Sequence, residues 1–302
     1  YQGATSMLNI LNLAYYPSER GPYNFNANDL QPDGTLAHPE KHWGGMMRKL
    51  DTNDFEAANI EYLEFWLLDP FIYTRKDGTA SQHGGDLYIN FGEVSEDILR
   101  DGKKFYESGM PVDGTSSFTT TQWGKIPVQA TQTYAFATTD GSREKQDVGY
   151  NGLTDEEERA FPDYMNFNNI VASITNDSLR TAWQADPAND DYIYYRGSDW
   201  DNKRASIHER YKHINNPQGN SPDSNSNSES YDTSYKSGPD VEDINLDYTL
   251  NEYERYYQYH VSIRPEDFDE SQIGNNYLAE VREYTPHLRN GKNDETIHWY
   301  KF

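Results

Sequence analysis

Asp86-Leu87-Tyr88-Ile89-Asn90-Phe91-Gly92 is the stretch that decides the fold class. Its apolar residues take every second position, which puts Leu87, Ile89 and Phe91 on one face and Tyr88 and Asn90 on the other. A period of two is what a strand with one buried face requires. Residues 61–68 repeat the pattern, with Leu63, Phe65 and Leu67 opposite Tyr62, Glu64 and Trp66. Residues 256–263, 277–284 and 296–302 are rich in aromatic and β-branched side chains, which suit a pleated surface. An apolar face opposite a polar-aromatic one is how a sheet of an antiparallel sandwich reads. The expected fold is therefore mainly β: an antiparallel, jelly-roll-like β-sandwich with a long loop-rich insertion and a few short helices.

Helix signals are short. Ser95 is placed to cap residues 96–100, where Glu96 and Asp97 suit the helix dipole. Thr154 and Glu157 form a capping box for a turn or two up to Phe161. Residues 178–185 and 205–213 are further candidates. Residues 215–240 are dominated by Asn, Ser, Gly, Pro and Asp and read as a flexible surface loop, because nothing there offsets the entropy of ordering. The domain reading is an N-terminal extended segment over 1–53 and a sandwich domain over 54–302. Within it, residues 54–110 and 255–302 are two parts of one sandwich around an insertion at about 111–254. The ends, Tyr1-Gln2-Gly3 and Tyr300-Lys301-Phe302, read as cuts within something longer.

Composition narrows the function. The 302 residues hold 50 acids against 26 Lys and Arg, a formal charge of −24, which disfavours nucleic acid and anionic lipid as partners. With 25 Tyr, 12 Phe and 6 Trp, the core has to be built largely from rings. The absence of cysteine excludes a disulfide framework and Cys-ligated metal. No run of about 18 apolar residues is present to span a bilayer as a helix.

One motif specifies a chemistry by residue type and spacing together. Asp243-Ile-Asn245-Leu-Asp247-Tyr-Thr249-Leu250-Asn251-Glu252-Tyr-Glu254 has the spacing of a calcium loop. Asp243, Asn245 and Asp247 would bind through side chains, Thr249 through its carbonyl and Glu254 bidentately, with Asn251 acting through water and Leu250 anchoring the loop. Tyr248 stands where a turn glycine is usual, and at φ > 0 it costs energy. The bland reading is an Asx-rich turn before an acidic strand. Asp147 to Glu158 is a weaker echo: Gly152 and Glu158 fit, but Gly149 supplies no side-chain oxygen and the capping box explains Thr154 and Glu157.

Other candidates are thinner. Trp66, Tyr62, Tyr88, Tyr256, Tyr257 and Tyr259 are a possible sugar-stacking face, although such faces more often pack under loops. Glu61, Glu64, Glu93 and Asp97 offer carboxylate pairs for glycoside hydrolysis, but with 50 acids some pair always looks suitable. The eight histidines form no HExxH or Ser-His-Asp signature. No catalytic and no cofactor-binding residue is assigned. The expected ligand is a structural Ca2+.

Several stretches together carry a resemblance: Tyr15-Tyr-Pro-Ser-Glu-Arg20-Gly-Pro-Tyr-Asn24, Trp43-Gly-Gly45, Asn59-Ile-Glu-Tyr-Leu-Glu-Phe-Trp66-Leu-Leu-Asp-Pro70 and Gly92-Glu-Val-Ser-Glu-Asp97-Ile-Leu. Glu209-Arg-Tyr-Lys212, Asn220-Ser-Pro222 and Val241-Glu-Asp-Ile-Asn245 continue it. In this order they resemble an internal region of the SprA/Sov family, the giant outer-membrane translocon of the type IX secretion system of Bacteroidota. The resemblance implies a part in protein transport across the outer membrane, a link to gliding motility, and other translocon components and secreted cargo as partners. A mean hydropathy of −0.99 and short, charge-interrupted strands depart from barrel wall. The expectation is thus a non-catalytic soluble domain of the translocon that shapes or covers the pore or docks partners. It would be outer-membrane-associated, at the cell surface or, as the alternative, on the periplasmic side, with the parent protein spanning the membrane. The alternative is a carbohydrate-binding sandwich module of a surface glycan system.

Overall fold

The computed structural model describes residues 9–52, 54–71, 84–107, 109–111, 117–128, 143–146, 148–191, 196–212, 242–285 and 296–302. The strands are β1 (Trp66–Leu68), β2 (Gly85–Glu93), β3 (Phe118–Thr121), β4 (Gly124–Pro127), β5 (Arg255–Ile263), β6 (Glu280–Tyr284) and β7 (Ile297–Lys301). The helices are α1 (Arg143–Gln146), α2 (Asp155–Ala160), α3 (Met165–Val171), α4 (Asp177–Ala185), α5 (Ser198–Lys203) and α6 (Ile207–Lys212). Two compact units result: Tyr1–Lys49 with Ser95–Glu252, and Leu50–Val94 with Tyr253–Phe302. The low-complexity stretch 215–240 lies outside the described residues, as does Asp147.

The second unit carries the longer strands. β2 and β5 pair antiparallel over nine residues, from Gly85 opposite Ile263 to Glu93 opposite Arg255. β1, β7 and β6 form a three-stranded antiparallel sheet in that order. Leu87 and Ile263 from the ribbon and Leu67 and Val281 from the sheet pack around a shared core of Phe71, Val261, Phe268, Leu278, Tyr300 and Phe302. Phe268 lies between the rings of Tyr300 and Phe302, at centroid distances of 4.5 and 6.0 Å. Rings supply most of this core, as the composition requires. Of the expected 61–68 strand only Trp66–Leu68 forms, with Phe65 adding two backbone bonds to Phe302. Leu63 is exposed. The strand ends at Asp69, whose side chain accepts the Phe71 N–H at 2.8 Å.

The first unit holds the six helices found among the described residues and the β3–β4 hairpin. α3 buries Phe167 and Val171, four apart on one face, against Trp183 of α4, with Ala27 and Ile174 completing the cluster. Thr154 makes both bonds of the capping box with Glu157, as expected, and starts α2. Gly152 stands at φ +61°, and a Cβ there would lie 2.1 Å from the Lys125 carbonyl oxygen, so only glycine lets the hairpin lie against the 149–152 turn.

Three expectations need correction. Ser95 starts no helix: its hydroxyl accepts the Asp97 N–H and donates to the Asn251 carbonyl, and Glu96 turns inward. Residues 9–49 are not simply extended, because Ala27 and Leu36 are buried and the Leu36 N–H bonds back to Ser18. Helical residues are at least as numerous as strand residues among the described ones: α2, α4 and α6 form on the three stretches expected to be helical, and α3 and α5 add to them. What the chain forms is several small antiparallel sheets with short helices, and no closed barrel among the described residues. No helix there is long and apolar enough to cross a membrane.

Candidate functional site: two acidic clusters

Four of the five residues of the calcium-loop motif come together. Asp243 is 2 % exposed and accepts the Asp247 N–H at 3.1 Å on one oxygen and the Tyr248 N–H at 3.0 Å on the other. Asn245 accepts a second bond from the Asp247 N–H and donates its amide to that side chain. Asp247 in turn takes the Thr249 N–H and hydroxyl at 2.8 and 2.6 Å, and these bonds hold its carboxyl below the usual range. Leu246 and Tyr248 both sit in the left-handed region, at φ +62° and +63°. Tyr248 therefore takes the conformation the motif needs from glycine, and the two bonds to Asp243 offset its strain. Leu250 is buried, as an anchor should be. Glu254 is exposed and belongs to the other unit.

Glu96 braces this loop, and the local sequence gives no hint of it. It is 2 % exposed, and its two oxygens accept the N–H groups of Ile244 and Asn251, each at 3.0 Å. Burial raises its pKa. Next to it, Glu107 and Glu242 are 1 % and 0 % exposed, and a Glu242 oxygen accepts the Glu107 N–H at 2.6 Å. Burial, and then the facing Glu242 carboxylate, push Glu107 up to about 11. Glu107 is thus neutral at physiological pH, which lets two acids share a dry site.

A second acidic cluster in the same unit lies between α2 and the loop after α4. Asp186 closes that loop by accepting the N–H groups of Asp190 and Asp191 at 3.2 and 3.4 Å. Glu158, on α2 and 0 % exposed, accepts the Asn151 amide at 2.5 Å and the Ala188 N–H at 2.9 Å. Asp190, also 0 % exposed, accepts the Tyr23 hydroxyl at 2.6 Å. Burial is the leading cause that lifts Glu158 to about 7, Asp190 to about 9 and Asp191 to about 6. Arg20 is buried nearby, its guanidinium 4.4 Å from the Phe167 ring centre and 4.9 Å from that of Trp183, with Nε donating to the Asn24 carbonyl. This explains why Arg20 and Tyr23 sit in one N-terminal motif: both reach the same helical core.

Residues 166–302, which run from α3 to β7, match the SprA_N family model, described as motility related/secretion protein. Residues 166–302 are an SprA-family region. No curated protein matches the chain. The SprA-family region supplies Asp186, Asp190 and Asp191 to one acidic cluster and the whole 243–249 loop to the other. The Tyr15 to Asn24 and Asn59 to Pro70 stretches lie outside the matched residues, yet Arg20 and Tyr23 pack on side chains within it.

Several of the remaining candidates are engaged by neighbours of the same unit. The Arg282 guanidinium covers Trp66 at 4.8 Å, Tyr88 stacks on His260, and Tyr259 packs edge-on against Phe91 and Tyr277. Tyr62 and Tyr257 remain 80 % and 78 % exposed. Glu64 pairs with Lys301 at 2.8 Å and Glu93 with Arg255 at 2.5 Å. His38 and His42 both contact Asp29, His260 contacts Asp86 and His298 contacts Glu283.

Proposed function

We propose that the chain is a non-catalytic domain of a giant outer-membrane protein-secretion translocon, the type IX system linked to gliding motility, and that it shapes or covers the pore or docks partners there. The observation that carries this reading is the family match, which extends from the helices of one unit into the sheets of the other. A charge of −24 and a mean hydropathy of −0.99 favour a domain in water over barrel wall. The parent protein would span the outer membrane, with this domain at the cell surface and translocon components and secreted cargo as its partners. The two sheets that share one ring-rich core are read as a small antiparallel sandwich on which such partners dock. The 243–249 loop is assigned a structural Ca2+, which fixes it beside the Glu96 brace.

Docking is tested with a photo-crosslinking residue at Tyr62 or Tyr257 in the parent protein of secreting cells. Adducts with cargo or envelope proteins are expected, and clean positions at both sites count against docking. For the loop, Ca2+ is expected to raise the melting temperature and EGTA to lower it. Asp243→Ala combined with Glu254→Ala should shrink that response, and a response equal to the wild type would remove the assignment.

A further inference from the structure

The cluster beside α2 shares no residue with the 243–249 loop, and its chemistry points to a ligand in its own right. Asp186, Asp190 and Asp191 each place a carboxylate oxygen within 4.8 Å of the others, and Asp186, Asp155 and Glu158 meet the same criterion. Acidic groups often crowd without binding anything, but Asp190 adds a second observation. It is 0 % exposed, its Oδ2 is taken by the Tyr23 hydroxyl, and its Oδ1 is buried without a hydrogen-bond partner. Asp155 Oδ1 is likewise buried and unpartnered. A buried carboxylate oxygen without a donor is costly unless a cation or a proton meets it.

The neighbouring cations do not supply that match. Arg20 and Arg159 act on the cluster electrostatically, but both direct guanidinium N–H groups to backbone carbonyls, Arg20 to Asn24 and Pro187, Arg159 to Gln184 and Ala185. Orientation is also built in. The Tyr23 N–H bonds to the Ala188 carbonyl at 2.8 Å, its hydroxyl accepts the Tyr150 N–H at 2.8 Å, and that hydroxyl holds Asp190. Gly149, at φ +74°, leaves the space: a Cβ there would lie 2.3 Å from the Tyr23 hydroxyl and 2.4 Å from Asp190 Oδ2.

We infer that Asp186, Asp190 and Asp191, together with Asp155 and Glu158, which group with Asp186, bind one hard divalent cation, Ca2+. The donors are all oxygen, without the imidazole or thiolate that zinc prefers. Ca2+ accepts about 6–8 oxygens in irregular geometry, which suits ligands drawn from a helix and a loop, whereas Mg2+ demands a near-ideal octahedron. Asp191 is exposed and gives the ion a route in. The bound ion would tie the loop after α4 to the start of α2 and, through Tyr23, to the N-terminal segment.

The test is calcium titration by calorimetry, with metal analysis of the dialysed protein, on the full chain carrying Asp243→Ala and Glu254→Ala so that only this cluster reports. One Ca2+ per chain is expected. Asp191→Asn, at an exposed position that leaves folding intact, should weaken binding at least tenfold, and so should Asp190→Asn. Tyr23→Phe, which removes the hydroxyl that positions Asp190 and accepts the Tyr150 N–H, should cost roughly 10–100-fold. No uptake of Ca2+, Mg2+ or Mn2+ at millimolar concentration overturns the site, as does unchanged affinity in both Asp variants. Neither result touches the role in secretion, which is judged separately by cargo export.

Discussion

Glu96 and Arg20 show how much single side chains carry here. Glu96→Ala orphans the buried N–H groups of Ile244 and Asn251, so it is expected to lower unfolding stability by about 2–4 kcal/mol, read as a shifted urea midpoint at constant slope. Glu96→Gln keeps one acceptor and should recover about half of the roughly 2–4 kcal/mol loss. Arg20→Ala strips the cation from three rings and from the neighbouring acids, and about 3 kcal/mol is expected to go with it. In the sequence, Glu96 reads as a residue of a first helical turn. Its true partners lie some 150 positions away, and a side chain that reaches so far along the chain leaves no local pattern. Tyr248 was legible in kind: the motif demands φ > 0 at its position, and the residue adopts it.

Among the elements, those governed by local rules were the ones the sequence disclosed. The Thr154–Glu157 capping box needs only three-residue spacing, and both of its bonds form. Thr154→Ala is accordingly expected to cost about 1 kcal/mol, visible as a drop of a few degrees in melting temperature. β2 and β5 were legible from alternation and ring content, because a ribbon with one better-covered face needs that pattern. Their mutual register was not, since residues between 93 and 255 separate them. α3 escaped notice because Asn166, Asn168 and Asn169 mask the Phe167–Val171 pair that docks on Trp183. The strand expected over 61–68 shortened because Leu63 meets no facing sheet, and the side chain of Asp69 turns the chain.

For the molecule as a whole, acid placement sets the response to pH. Glu107 is 1 % exposed and its carboxyl is raised to about 11, so the folded state keeps a proton that the unfolded chain releases above the ordinary carboxylate range. Folded protein then binds more protons, and stability falls as pH climbs from about 4.5 through about 11. Glu107→Gln, which cannot ionise, should flatten the difference in urea midpoint between about pH 5 and about pH 8. An unchanged slope would mean that Glu107 is ionised in the fold. The two-unit division was only partly visible, because the first unit combines the N-terminal segment with residues that read as an insertion, and contacts far apart in sequence, such as Arg20 on Phe167 and Trp183 and Tyr23 on Asp190, join them. A role in protein secretion is tested most directly by an in-frame deletion of Ser95–Glu252, a unit boundary at each end, in the chromosomal copy of the gene. The quantity to measure is cargo protein in the medium against cargo in the periplasm, with the parent protein's outer-membrane level as control. Cargo trapped in the periplasm at a normal level of parent protein is the expected result; undiminished export contradicts the role.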